Sequence, residues 1–314
     1  MTAGRVWYWA SVVIAVLAGV YFLGYARAHI DEVAALQWSA GDWMLLVLST
    51  ALWVAVVGLG VMIWHGLLRD LGHPLPLIRC LVIYSVSQLG KYLPGNMAHH
   101  IGRVVMARQS GVPAAITLQT MLLEMAWAVG VAGGIALLGL STLTGKEGGG
   151  GMNGITLVAL AVGALLLPSA MVWTINRLAP TLAARLSQGV GLPLPGIPVM
   201  VKASLLFLLS FLTVGLLLQL HSRILFDASE GHLLMLTTVY AWAWIAGYIT
   251  PGAPAGLGVR EAVLVAMLSP VYGPAVAVGL SLSLRVATTL GDGLAFLIGL
   301  AARRFSGMPS ASSA

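Results

Sequence analysis

Six apolar runs recur along this chain, at about 7–25, 43–64, 117–140, 154–175, 198–220 and 274–302, each long enough to cross a bilayer as a helix. A helix satisfies its own backbone hydrogen bonds, which hydrocarbon cannot do for it. Only 8% of the 314 residues are charged and 59% are hydrophobic, whereas a soluble domain carries about 25% charged residues. Such a chain has no polar surface to present to water. It is expected to be an all-α integral membrane protein, one membrane domain over 1–314, with no segment polar enough for a separate soluble catalytic unit. Arg5 and the run from Trp7 to Tyr25 loosely resemble a secretory signal. The run exceeds the ~7–15 residues of a signal's apolar core, so it is taken as an uncleaved first helix.

Two further regions are apolar but broken. The first is Leu77–Leu89, then Lys91-Tyr92-Leu93-Pro94-Gly95, then a short helical stretch to Arg108. The second is Leu233–Ile249, then Thr250-Pro251-Gly252-Ala253-Pro254-Ala255-Gly256, then Val259–Leu268. Pro-Gly forces a turn, and non-helical backbone at membrane depth is tolerated only where protein or a water-filled cavity covers it. Both regions are predicted to be re-entrant helical hairpins, with turns at Pro94, Gly95, Pro251, Gly252, Pro254, Gly256 and Gly258.

The two halves also match. Arg103 lies eight residues after Gly95, and Arg260 eight after Gly252. Eleven residues beyond Pro113 and Pro274 stand Glu124 and Arg285. Each half contains three spans and one hairpin, and an odd number of spans turns the second copy upside down. The expectation is therefore two inverted repeats, 1–147 and 152–304, joined by the flexible Gly148–Gly151 and followed by a disordered tail at 305–314. Inverted repeats with broken helices place a transporter's site at the repeat interface. Arg69, Arg79, Lys91, Arg103, Arg108, Arg177, Arg185, Arg303 and Arg304 then satisfy the positive-inside rule with both termini cytoplasmic.

Glu124, Arg285 and Asp292 sit within spanning segments, where a charge costs about 2.5–3.5 kcal/mol on insertion scales and calls for a partner or a cavity. Arg285 and Asp292, seven residues apart, share a helical face. Two readings follow: an ion-paired latch Glu124–Arg285–Asp292, or a polar route for a headgroup or a coupling proton. Arg103 and Arg260 carry planar forks suited to phosphate oxygens, the former alternatively a positive-inside anchor. Lys91, Glu261 and His99 complete the candidate set, His99 because it shares a face with Arg103. His99 and His100, being adjacent, are expected to point apart, so no metal site is expected. The tryptophans are mostly interfacial-belt residues by default, and Trp7, Trp9, Trp38 and Trp43 fit that reading. Cys80 is the only cysteine, excluding an intrachain disulfide. No nucleotide loop, catalytic triad or paired-carboxylate motif is present, so neither a catalytic residue nor a cofactor is expected.

Lys91-Tyr92-Leu93-Pro94-Gly95…Arg103 and the run from Pro251 to Glu261 resemble the paired signatures of the lysylphosphatidylglycerol synthase/flippase transmembrane region. That family also includes hopanoid-associated and glycosylation-associated membrane proteins. The resemblance implies a bacterial inner-membrane lipid flippase or transporter with eight or so membrane helices. Fusion members add a soluble aminoacyl-transferase domain, which these residues do not contain, so synthase activity is not expected of them. The alternative is an accessory subunit or enzyme of polyprenyl-linked glycan or hopanoid lipid biosynthesis. The expected partners are membrane lipids, a second copy of the chain or a lipid-biosynthesis enzyme, and no nucleic acid.

Overall fold

The computed structural model describes residues 24, 27, 39–92, 97–139, 154–186, 192–250 and 253–307. The expected first span at 7–25 (Gly24 apart), the Gly148–Gly151 connector and the turn residues Pro94, Gly95, Pro251 and Gly252 lie outside the described residues. Among the described residues the chain is helical and holds no strand. In chain order the helices are α1 (Ala40–Asp70), α2 (Leu77–Gln88), a 3-10 segment (Leu89–Tyr92), α3 (Ala98–Gln109), α4 (Ala114–Leu138), α5 (Gly154–Leu178) and α6 (Pro180–Leu186). There follow α7 (Ile197–Leu225), α8 (Leu233–Ile249), a second 3-10 segment (Pro254–Gly256), α9 (Val259–Tyr272) and α10 (Pro274–Arg303).

Local chemistry sets the helix starts. Ser39 and Asp42 form a reciprocal capping box, Asp42 Oδ2 accepting from the Ser39 N–H at 2.6 Å. The helix α10 begins with Pro274 in its first turn, after Gly273 at φ +80°. Proline there forfeits an N–H that would have had no helical partner. Four described helices, α1, α4, α7 and α10, are long and apolar enough to cross a membrane. At ~1.5 Å per residue they run roughly 37–46 Å, against a hydrocarbon core of about 30 Å. They cover the runs expected at 43–64, 117–140, 198–220 and 274–302, and the 25-residue α5 covers 154–175. Their outward faces carry Val47, Leu205, Leu209 and Leu297, apolar surface that suits lipid rather than water.

The order long helix, short helix, 3-10 segment, short helix, long helix occurs twice, in α1–α4 and in α7–α10. The packing follows the same exchange. α1 lies on α7; α2 lies on α10 as α8 lies on α4; α1 meets α10 as α7 meets α4; and the two 3-10 segments touch. One hydrophobic cluster draws on both halves, including Trp53, Val57 and Val131 from the first and Phe211, Leu218, Leu236 and Leu280 from the second.

The two hairpins are closed in the same way. A side chain on Gly90 would fall 2.5 Å from the His99 amide nitrogen, and one on Gly247 would lie 3.3 Å from Gly256 Cα. Both contacts join a glycine four residues before the proline to the residue nine further along the chain. At the expected C-terminal tail, Ser306 is buried and its carbonyl accepts from Arg79 Nε at 2.9 Å. Residues 308–314 lie outside the described set.

Candidate functional site

Where the halves meet, a cavity of about 270 Å³ opens among α1–α4, α7–α10 and both 3-10 segments. Its volume is just below the ~300–1,000 Å³ usual for small-molecule sites, which suits a headgroup and not two acyl chains. Of the expected site residues, Lys91, His99, Arg103, Glu124, Gly256, Arg260, Arg285 and Asp292 line it. Thus residues as far apart in sequence as Lys91 and Asp292 share one wall. Glu261 stands behind Arg285, and Gly258 sits at the α9 N-terminus, where its N–H donates to Glu261 Oε2 at 2.8 Å. Pro254 lies in the second 3-10 segment.

The expected latch Glu124–Arg285–Asp292 is not what forms. Arg103 donates to Glu124 at 2.6 Å, Lys91 to Asp292 at 2.7 Å, and Arg285 approaches Glu261 at 3.3 Å. Packing explains the choice. Each hairpin helix lies against the long helix of its own half, α3 on α4 and α9 on α10, and so presents the nearest partner. The long helices carry opposite charges at matching positions. Glu124 therefore takes Arg103, while Arg285 would repel Arg260 and takes the neighbouring Glu261.

Arg260, at the position matching Arg103, consequently has no carboxylate partner among the described residues. Its Nε is buried and makes no hydrogen bond there. The guanidinium lies 5.9 Å from the centre of the Tyr240 ring, a cation–π contact that leaves the donors unused. Arg103, at 4% exposure, is not a surface anchor: its guanidinium lies 3.9 Å over Tyr84 and 5.5 Å from Trp64.

Asp292, 2% exposed, is one tie between the halves, as is the buried Ser49–His221 hydrogen bond at 2.8 Å. Besides Lys91, Asp292 accepts from Tyr92 Oη at 2.6 Å and from Trp53 Nε1 at 3.0 Å. A buried carboxylate with three donors around it is well satisfied. The α9 side is fixed by backbone as well, with Arg285 Nη1 reaching the Ala255 carbonyl at 3.4 Å. Ala255 and Gly256 hold φ at +52° and +70°, which lets the segment turn tightly beneath Arg260.

One expectation about side chains changes. The rings of His99 and His100 lie 3.7 Å apart and both border the cavity. No group of three or more His, Cys, Asp or Glu is placed to hold a metal ion among the described residues. Trp53 and Trp244 are wall residues, and with Tyr84, Tyr92, Tyr240 and Tyr248 they give the cavity an aromatic lining. Nothing in the apolar runs distinguishes these aromatics from core or belt. The glycines 90 and 247 did carry a signal, since each precedes its proline by four residues.

The chain matches the family model for the lysylphosphatidylglycerol synthase TM region over residues 8–295. Comparison with curated proteins finds no match. The family match spans most of the chain: this multi-pass membrane protein belongs to the lysylphosphatidylglycerol synthase TM region family, which points its function toward membrane lipids.

Proposed function

We propose that the protein carries the headgroup of a phosphate-bearing lipid between the leaflets of a bacterial inner membrane, with both termini in the cytoplasm. The observation that carries this is Arg260, a half-buried guanidinium that faces a headgroup-sized cavity, with its Nε buried and no carboxylate partner among the described residues. A phosphodiester supplies the missing charge and acceptor oxygens for a planar fork. The tails stay in the bilayer while the headgroup crosses. The hairpins act as the two gates, the first entered from the cytoplasm and the second from the opposite face. Lys91–Asp292 is the bond across the halves that must break as they rock. The duplicated order of elements supports this reading, since a site at a repeat interface can be exposed to either side by moving one half on the other.

Proteoliposomes bearing a fluorescently tailed phosphatidylglycerol test it. Purified protein should raise the rate at which label moves between leaflets, and Arg260→Gln should lower that rate at least tenfold while retaining the wild-type melting temperature. Equal rates for wild type, Arg260→Gln and protein-free vesicles would reject the assignment.

A further inference from the structure

The wall of the cavity also indicates what kind of headgroup fits. Four cationic side chains border it, Lys91, Arg103, Arg260 and Arg285, and three carboxylates are within reach of them. Each carboxylate is matched to one cation: Asp292 to Lys91, Glu124 to Arg103 and Glu261 to Arg285. Among the described residues, one positive charge is left over and no negative one. A ligand that balances the site carries a net charge of about −1, since uncompensated charge in a low-dielectric site is strongly disfavoured.

Polar atoms away from Arg260 refine the picture. Glu124 Oε1, the oxygen that does not bind Arg103, is buried without a hydrogen-bond partner. His99 Nδ1 and His100 Nδ1, on the hairpin helix beside it, are also buried and unpartnered. Buried polar atoms left open in this way are normally completed by a ligand or water. An oxygen whose carboxylate charge is already neutralised accepts a hydroxyl without needing a second cation. An imidazole nitrogen can donate to a hydroxyl or accept from one, according to its tautomer.

We infer that the cavity selects a net-anionic phosphodiester lipid whose headgroup is uncharged and hydroxyl-bearing, and discriminates against a net-cationic aminoacyl ester of the same lipid. The phosphate sits at Arg260 and the hydroxyls reach Glu124 and the two histidines. This rests on the reading of the cavity as a lipid-headgroup site, and it adds the sign of the headgroup's charge and the chemistry of its far end.

Binding to the full chain in lipid nanodiscs tests it, with three probes in competition: phosphatidylglycerol, its lysyl ester, and phosphatidylethanol, which keeps the phosphodiester charge but lacks the hydroxyls. Phosphatidylglycerol is expected to bind at least tenfold more tightly than the lysyl ester and several-fold more tightly than phosphatidylethanol. Arg260→Gln should abolish the first preference and leave the second. Lysyl ester binding as tightly as phosphatidylglycerol would overturn the charge assignment while leaving headgroup binding intact. Equal affinity for phosphatidylglycerol and phosphatidylethanol would overturn the hydroxyl assignment. If none of the three binds and none is moved in proteoliposomes, the transport reading itself fails.

Discussion

Replacing Arg103 by methionine removes one member of a buried ion pair and tests how the charges are partnered. Arg103 and Glu124 meet at 2.6 Å with side-chain exposures of 4% and 13%. At an effective dielectric of ~20, two charges at that distance attract by roughly 6 kcal/mol. Desolvation of both groups offsets most of this, so the net contribution of the pair is small. Removing a single partner, however, strands the other, at a cost of about 3–5 kcal/mol. Arg103→Met also forfeits the stacking over Tyr84, worth about 2 kcal/mol when desolvated. The double variant Arg103→Met/Glu124→Leu strands no charge and is expected to fall within roughly 2 kcal/mol of wild type. Cys80 provides the assay: it is the only cysteine and is buried, so a thiol-reactive fluorophore reports unfolding as the temperature is raised. The double-mutant cycle should give a coupling energy above ~1.5 kcal/mol for Arg103 with Glu124, and below about 0.5 for Glu124 with Arg285. Coupling of Glu124 to Arg285 equal to its coupling to Arg103 would refute the pairing.

The remaining expectations concern the joint between halves and the closure of the hairpins. Lys91→Met leaves the Asp292 carboxylate with only Trp53 and Tyr92, and should cost about 3 kcal/mol in the same melt. Lys91→Met/Asp292→Asn, whose amide oxygen accepts from Trp53 and whose NH2 can donate to the Tyr92 hydroxyl, should recover most of that; no recovery would show that Lys91 acts through other contacts. Gly90→Ala places a methyl 2.5 Å from backbone, whereas Gly247→Ala places it 3.3 Å from Gly256 Cα. The first should cost about 3 kcal/mol and the second about 1, and a reversed order would mean that the hairpin contacts are drawn wrongly.

The parts of this molecule legible from sequence are those set by solvent. Five of the expected spans coincide with helices because hydrocarbon admits few backbone solutions, so apolar length determines the element. The helix ends at Gln88 and Ile249 and the restarts at Ala98 and Val259 likewise flank the Pro-Gly pairs of the sequence. Partner choice is another matter. The spacing of Arg285 and Asp292 places both on one helical face, yet the rotation of that face relative to α3 and α9 depends on packing that no single segment encodes. Glu124 and Arg285 were matched by sequence position, whereas pairing follows spatial neighbours, and symmetry-related positions in two halves need not touch. Trp53 and Trp244 were illegible for a related reason: an aromatic residue within an apolar run looks the same whether it meets lipid, core or cavity.

The inversion of sign between Glu124 and Arg285 has an energetic meaning once the pairs are known. Arg103–Glu124 lies within the first half and Glu261–Arg285 within the second, so each of these two pairs joins a hairpin helix to the long helix of its own half. The rocking proposed above, one half moving on the other, would separate neither of these two pairs. The bond across the joint is different, since Lys91, Tyr92 and Trp53 of one half all converge on Asp292 of the other. In the proposed cycle, the barrier to exposing the cavity is therefore concentrated at Asp292. An anionic headgroup at Arg260 brings negative charge into the same cavity as Lys91, weakening the hold of Asp292 on that lysine by competition. In that proposed cycle, arrival of the ligand and release of the joint are coupled through Lys91, so Arg260 would act on transport without itself bridging the two halves.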